Sequence, residues 1–241
     1  MNNKSDGSHP TISVVIPAYN EEERIERTLK SLTTQTNKAL EIIVADNNST
    51  DKTTEIAKKY GALVVSEHQQ GYVFALNTGL KATKGEVVAI IDADSKPDLN
   101  WLETIGEEFK NENVVALTGP IHVDLKSNLL KFISEKGYSA FLGINFLIGK
   151  PHLTGFNFAV RRSALLKVNG LDIKFAMSPD VDLGIRLSKT GKVIFAKNTY
   201  VTASTRRFRK GVLRSLFEYA EGYIYAAWLR KPPPVRQNVI R

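Results

Sequence analysis

Four short apolar runs, each closed by a polar or acidic step, constrain this chain more than any other feature. Ile12-Ser13-Val14-Val15-Ile16 stops at Pro17, and Glu41-Ile42-Ile43-Val44-Ala45 ends in Asp46-Asn47-Asn48-Ser49-Thr50-Asp51. Leu63-Val64-Val65 is the third run, and Val87-Val88-Ala89-Ile90-Ile91 ends in Asp92-Ala93-Asp94. Helical patterns separate them: Ile25, Leu29 and Leu32 share one face, a second helix runs to about Tyr60 with Gly61 after it, and a third spans 74–82. Continuous apolar strands alternating with helices imply a parallel sheet covered on both faces, an α/β fold. Such sheets bind ligands outside the carboxyl ends of their strands, where Pro17-Ala18-Tyr19-Asn20, Asp46, Asp92 and Asp94 stand here. Asn20, with Glu23 three residues on, also has the spacing of a capping box for the first helix.

After Trp101 the pattern loosens. Helices are expected at about 100–110, 126–147, 162–168 and 181–190, and strands at 114–118, 156–160 and 192–196. Beyond Phe208 a long helix is closed by Pro232-Pro233-Pro234. The division that follows is a polar tail at 1–10 and a body at 11–203 with halves at about 11–98 and 99–203. A basic, aromatic segment at 204–241 completes it.

Several function classes drop out. With 241 residues and no cysteine, the chain carries no disulfide framework, thiolate nucleophile or Cys-ligated metal. No stretch reaches the ~18 consecutive apolar residues of a spanning helix, and the first ten residues lack the apolar region of a signal peptide. GxGxxG, GxxxxGK[ST] and GxSxG motifs are absent, and His9, His68, His122 and His152 have no metal-ligand spacing. His152, just before Gly155-Phe156-Asn157, is the histidine placed to reach the strand ends. These features lead us to expect a cytoplasmic protein.

Two acidic groups can carry chemistry. Asp92 and Asp94, two apart in an extended segment, project to one side and offer hard oxygens to Mg²⁺ or Mn²⁺; otherwise they solvate a strand end or cap a helix. Asp180, in Ser178-Pro179-Asp180-Val181-Asp182-Leu183, opens a helix, where it serves either as a cap or as a general base toward an attacking hydroxyl.

Taken in order, Val14-Val15-Ile16-Pro17-Ala18-Tyr19-Asn20-Glu21, Asp46 to Asp51, Ala75-Leu76-Asn77-Thr78-Gly79 and Asp92-Ala93-Asp94 resemble a family 2 glycosyltransferase of the GT-A fold. Gly155-Phe156-Asn157 with Arg161-Arg162, and Asp180-Val181-Asp182-Leu183, resemble that family's acceptor-side segments, so the likeness covers about 11–210. It implies a nucleotide-diphospho-sugar donor. Pro17, Tyr19, Glu21 and Asn77 would line its pocket, Asp46 would read a UDP or GDP base, and Asp92 and Asp94 would hold the ribose and a metal–diphosphate. Gly155, Asn157 and Asp182 would lie on the acceptor side, and Asp180 would be the base of an inverting displacement. Pro179 stands where the family usually carries Glu, and Asn47-Asn48 where it often carries Asp-Gly. Thr205-Arg206-Arg207-Phe208-Arg209 stands in place of a Gln/Arg-x-x-Arg-Trp motif, with arginines such as Arg206 for the diphosphate. The Pro17 to Glu21 loop lacks the glycines a sugar-1-phosphate nucleotidyltransferase needs.

The net charge of +8 is concentrated at one end. Residues 204–241 hold nine basic side chains against Glu218 and Glu221, leaving 1–203 almost neutral. This distribution argues against whole-surface nucleic-acid binding. In the same segment Leu213, Leu216, Phe217, Ala220, Tyr223, Ile224, Ala227 and Trp228 form an apolar stripe at helical spacing. The stripe either docks on the body or lies in a membrane interface, with Tyr219, Tyr223, Tyr225 and Trp228 as belt residues and arginines on anionic lipid. The second arrangement suits a lipid-linked acceptor as readily as a glycan. A non-catalytic module that binds anionic lipid or nucleic acid through this segment is the competing class.

Overall fold

The computed structural model describes residues 9–125, 127–204, 206 and 212–232. The 1–8 part of the polar tail, Thr205, Arg207-Phe208-Arg209, the side chains of Leu213 and Leu216, and 233–241 lie outside the described residues. The first half runs β1 (Ile12–Ala18), α1 (Ile25–Thr33), β2 (Glu41–Asp46), α2 (Thr53–Lys59), β3 (Leu63–Ser66), α3 (Tyr72–Ala82) and β4 (Val87–Ile90). It continues through β5 (Lys96–Pro97), α4 (Trp101–Glu108), β6 (Val114–Thr118), β7 (Ile121–Val123) and α5 (Asn128–Leu147). Then come β8 (Phe158–Arg161), α6 (Arg162–Lys167), a 3₁₀ turn (Ile173–Phe175), α7 (Pro179–Leu187), β9 (Lys192–Phe195) and β10 (Val201–Ala203). The chain closes with α8 (Val212–Ile224), which passes into a π-helical turn (Tyr225–Leu229).

Seven strands form the central sheet in the order β3-β2-β1-β4-β8-β6-β9. β1 pairs in parallel with both β2 and β4, and β2 with β3, as the apolar runs require. β8 enters antiparallel between β4 and β6 and so knits the second half into the same sheet. Strand order reverses at β1: β2 and β3 follow it on one side, and β4 begins the run on the other. The crevice beyond the β1 and β4 ends is therefore the topological switch point.

Alternate residues of the strands bury into two layers. Val14, Ile16, Val44 and Ala89 pack with Ile25 and Leu29 of α1 and Trp101 of α4. Val15, Ile43, Val88 and Ile90 pack with Leu76 of α3 and Leu183 and Leu187 of α7. Gly79 sets the approach of α3: a Cβ there would lie 2.6 Å from Val15 Cγ1 and 3.1 Å from Ala45 Cβ.

Three features differ from the sequence expectation. The capping box does not form, because α1 starts at Ile25 with no side-chain cap. Asn20 is instead left-handed (φ 52°), and its side-chain oxygen accepts from Thr50 N–H. A second sheet, β5-β10-β7, is built from strands of two and three residues, too short to show a period. Part of the C-terminal segment docks: Ala226 and Ala227 are buried with Phe175, Val181 and Ile185, while Phe217, Ile224 and Trp228 stay exposed. No helix among the described residues is long and apolar enough to cross a membrane.

Asn157 shows how tightly this frame is tied. Fully buried, it accepts from Trp101 Nε1 (2.9 Å) and donates to the carbonyls of Pro120 (2.9 Å) and Thr199 (2.7 Å). Asn157→Ala would strand all three partners. It is expected to lower the unfolding free energy by about 3 kcal/mol or more in urea denaturation, whereas a loss under ~1 kcal/mol would contradict this assignment.

Candidate active site

The two loops that leave β1 and β2 are stitched together. Asn20 N–H donates to Ser49 Oγ (3.0 Å), Glu21 N–H to Thr53 Oγ1 (2.8 Å) and Glu22 N–H to Asp51 Oδ2 (3.0 Å). In return Lys52 N–H donates to Glu22 Oε2 (3.0 Å). Beneath them Asn47, also buried, donates to the Glu67 and Gln69 carbonyls and accepts from Gly71 N–H (2.7 Å). These bonds hold Asp46 at the floor of the crevice, 6% exposed. Its Oδ2 is 3.3 Å from Ser49 N–H, while Oδ1 is buried with no hydrogen-bond partner among the described residues. A buried carboxylate oxygen without a donor is costly and marks where a ligand N–H would fit.

At the switch point stand Glu21, after β1, and Asp94, after β4. Arg206 crosses from the C-terminal segment to meet both: its guanidinium donates to Glu21 Oε2 (3.0 Å) and Oε1 (2.5 Å) and lies 3.3 Å from Asp94 Oδ2. Burial alone would lower the Arg206 pKa, but the hydrogen bonds it donates to Glu21 and the charges of Glu21, Asp94 and Asp92 raise it. Burial pushes the Glu21 carboxyl above the usual glutamate range and Asp94 adds to this, outweighing the opposing pull of Arg206 and Arg24. Thr28 of α1, which the sequence reading passed over, props the Asp92-Ala93-Asp94 turn by donating to the Ala93 and Ser95 carbonyls (2.8 and 2.7 Å). A threonine inside an apolar helical stripe carried no signal of that role.

Asp180 sits in the first turn of α7, after Pro179, with Oδ1 accepting from Val181 N–H (3.1 Å). Its Oδ2 is 3.7 Å from His152 Nε2. His152 is 9% exposed, packed between the rings of Phe141 and Tyr223, and its Nδ1 is buried with no partner among the described residues. Gly155 leaves the carboxylate room, since a Cβ there would come within 3.1 Å of Asp180 Oδ2. Tyr72 Oη donates to Gly155 O (2.9 Å), joining this pocket through Gly71 and Asn47 to the floor around Asp46. Tyr138 Oη lies 3.2 Å from Thr154 Oγ1, and burial pushes its phenol far up, so it stays neutral.

The other residues singled out from sequence divide. Pro17 is buried inside β1, and Tyr19 is exposed at its end. Asn77 donates to Leu171 O (2.9 Å) and accepts from Leu171 N–H (3.0 Å), so its amide ties α3 to the loop before the 3₁₀ turn. Asp182 is 1% exposed and paired with Arg186 Nε (2.6 Å) and Arg230 (3.1 Å). Asn157 belongs to the frame, as above. Glu21, Asp94 and Arg206 come together directly, Asp46 lies at the neighbouring strand end, and Asp180 pairs with His152.

The glycosyl transferase family 2 profile matches residues 13–168. The glycosyltransferase AglE of Haloferax volcanii is 34% identical over 139 residues, covering 54% of this chain and 43% of the relative. The probable glycosyltransferase YdaM of Bacillus subtilis is 32% identical over 200 residues, covering 76% and 47%. The chain thus spans less than half the length of these relatives. A mannosyltransferase from Pyrobaculum calidifontis, solved with GDP-Man and Mn²⁺, superposes with a TM-score of 0.73 at 22% identity, over 94% of this chain and 66% of that one. Glucosyl-3-phosphoglycerate synthase from Mycobacterium tuberculosis, solved with Mn²⁺, UDP and glucosyl-3-phosphoglycerate, gives 0.63 at 23% identity, over 90% and 80%. At such identities these two likenesses speak for the fold: a mostly parallel central sheet flanked by helices.

A testable consequence follows from Glu21. A carboxyl raised in the folded state contributes most to stability below its unfolded pKa and loses that contribution as pH rises through the folded value. The melting temperature of the wild type relative to Glu21→Gln should therefore fall as pH rises above the ordinary glutamate value of about 4.3. A difference that is flat or rises over that range would contradict the assignment.

Proposed function

Because the chain belongs to glycosyl transferase family 2, we propose that it transfers a sugar from a UDP- or GDP-sugar to a hydroxyl or lipid-phosphate acceptor, inverting the anomeric centre. The observation that carries this reading is Asp46 Oδ1, a buried acceptor without a donor at the end of β2, beside the switch point. An imide or amide N–H of a uracil or guanine base would satisfy it. The diphosphate would then extend toward the β1 and β4 ends, where Asp92 and Asp94 lie.

A divalent metal suits this place in the chemistry of its donors. Asp92 and Asp94 are hard oxygen ligands whose negative potential already attracts one cation, the Arg206 guanidinium. Among the described residues no third His, Cys, Asp or Glu joins them, so diphosphate oxygens would complete the shell. When bound, Mn²⁺ or Mg²⁺ would neutralise charge on the departing nucleoside diphosphate. Arg206 would exchange its carboxylate partners for the diphosphate, a bidentate match of the same kind.

Asp180 would accept the proton of the attacking group. His152, packed against its Oδ2, would hold the carboxylate in place, and the aromatic wall of Phe141 and Tyr223 would exclude water. We place the protein at the cytoplasmic face of a membrane, on the strength of the basic aromatic C-terminal segment.

Asp180→Asn keeps the shape and removes the base. Nucleoside diphosphate release from UDP- and GDP-sugars, with a membrane lipid extract as acceptor source, should fall by roughly a hundredfold or more, while donor binding is unchanged. NMR of the product should show an inverted anomeric configuration. Full turnover in the variant, or retention of configuration, would overturn the reading.

A further inference from the structure

Helix α5 is turned inside out. Of its twenty residues only Leu142 and Asn145 are buried. The face on the body is largely polar: Glu135 accepts from Val123 N–H (3.0 Å) and lies 3.2 Å from His122 Nδ1, Tyr138 meets Thr154, and Asn145 accepts from Tyr223 Oη (2.5 Å). The opposite arc is apolar and faces solvent: Leu129, Leu130, Ile133, Ile144 and Leu147 are 67, 56, 56, 57 and 87% exposed. At about 1.5 Å per residue this ridge is roughly 30 Å long. Its two ends are joined across the small residues Gly137 and Ala140, and an exposed apolar face of that extent marks an interaction site.

The ridge continues into the C-terminal segment. Lys150, just past α5, donates to Ala227 O (2.6 Å) and sits 3.4 Å from the centre of the Trp228 ring. Trp228 and Leu229 are 58 and 50% exposed, so an interfacial aromatic lies at one end of the ridge. Its charge has one sign. The sole acid of α5, Glu135, is turned inward and takes Lys131 as its ion-pair partner, whereas the exposed Lys136 on the helix and Lys231 beyond the π-helical turn leave cations beside the apolar arc. The segment that follows Ser204 is strongly basic.

We propose that the outer face of α5, together with Trp228 and Leu229, seats this protein on an anionic lipid bilayer. A convex apolar ridge with a basic border matches the acyl–headgroup boundary of such a surface. A second copy of the chain would instead oppose one basic border to another. The proposal deepens the reading above and rests on it for what is delivered: Phe141 of α5 packs against His152 beside Asp180, so a seated α5 brings the acceptor pocket close to the lipid surface. The acceptor class it selects is therefore lipid-linked.

The test is co-sedimentation with vesicles of phosphatidylcholine alone or mixed with phosphatidylglycerol, comparing wild type with Ile133→Gln/Ile144→Gln. Both side chains point to solvent, and a melting curve of each protein confirms the fold. Wild type should pellet with the anionic vesicles only and be released by high salt, and the variant's partition should fall by about tenfold or more. Equal partition of the two proteins, or a wild type that ignores anionic vesicles, would overturn the proposal. So would a wild-type dimer in sedimentation velocity that the variant breaks. The response of the same samples to nucleotide with Mn²⁺, without vesicles, is read separately. If that response is normal while vesicle binding is absent, the seat alone falls; if it is missing in both proteins, the transferase reading falls.

Discussion

Parallel pairing of β1 between β2 and β4 brings carboxylates to one edge of the sheet, and the site depends on how that charge is accommodated. Glu21 and Asp94 meet at the switch point because the strands that carry them must end on the same side. Burial penalises such charges, and Arg206, 185 residues from Glu21 in sequence, offsets part of the penalty. The same guanidinium ties the ends of β1 and β4 together, and it is a side chain able to bind phosphate.

Around that centre the polar groups form two tiers. One serves the frame: Asn157 joins α4, the second sheet's connections and β8, and Asp182 closes a buried cluster with Arg186 and Arg230. The other leaves capacity open among the described residues, in Asp46 Oδ1 at the β2 end and His152 Nδ1 beside Asp180, although Arg186 Nη2 within the frame is unfilled as well. What sets Asp46 apart is its place: an acceptor without a donor at a strand end, where a ligand N–H would fit.

Much of this was legible in the sequence. The apolar runs place β2, β3 and β4 to within one residue and β1 to within two, since Pro17 does not stop that strand but lies inside it, and the acidic steps after β2 and β4 locate the crevice. Asp180 is found at a helix start by its Pro-Asp signal. What escaped lacks local pattern. β5, β7 and β10 are too short for periodicity, and β8 gives no hint of its direction. Asn77, Asn157 and Asp182 look like site residues because Asn and Asp suit a ligand as well as they suit a backbone carbonyl or an arginine; only long-range partners decide. For α5 the sequence analysis gives the helix alone, at about 126–147; that Leu129, Leu130, Ile133, Ile144 and Leu147 face outward is set by what the rest of the fold packs against it.

The central claim is that a nucleoside diphosphate with its metal occupies the crevice between Asp46 and Asp94. Calorimetric titration of UDP and GDP, each with and without Mn²⁺, against wild type and Asp94→Asn tests it directly. The account predicts that one nucleotide binds the wild type and that Mn²⁺ tightens it by about tenfold or more, an enhancement the variant loses. Binding of neither nucleotide under any metal condition, or an Mn²⁺ effect unchanged in Asp94→Asn, would contradict it.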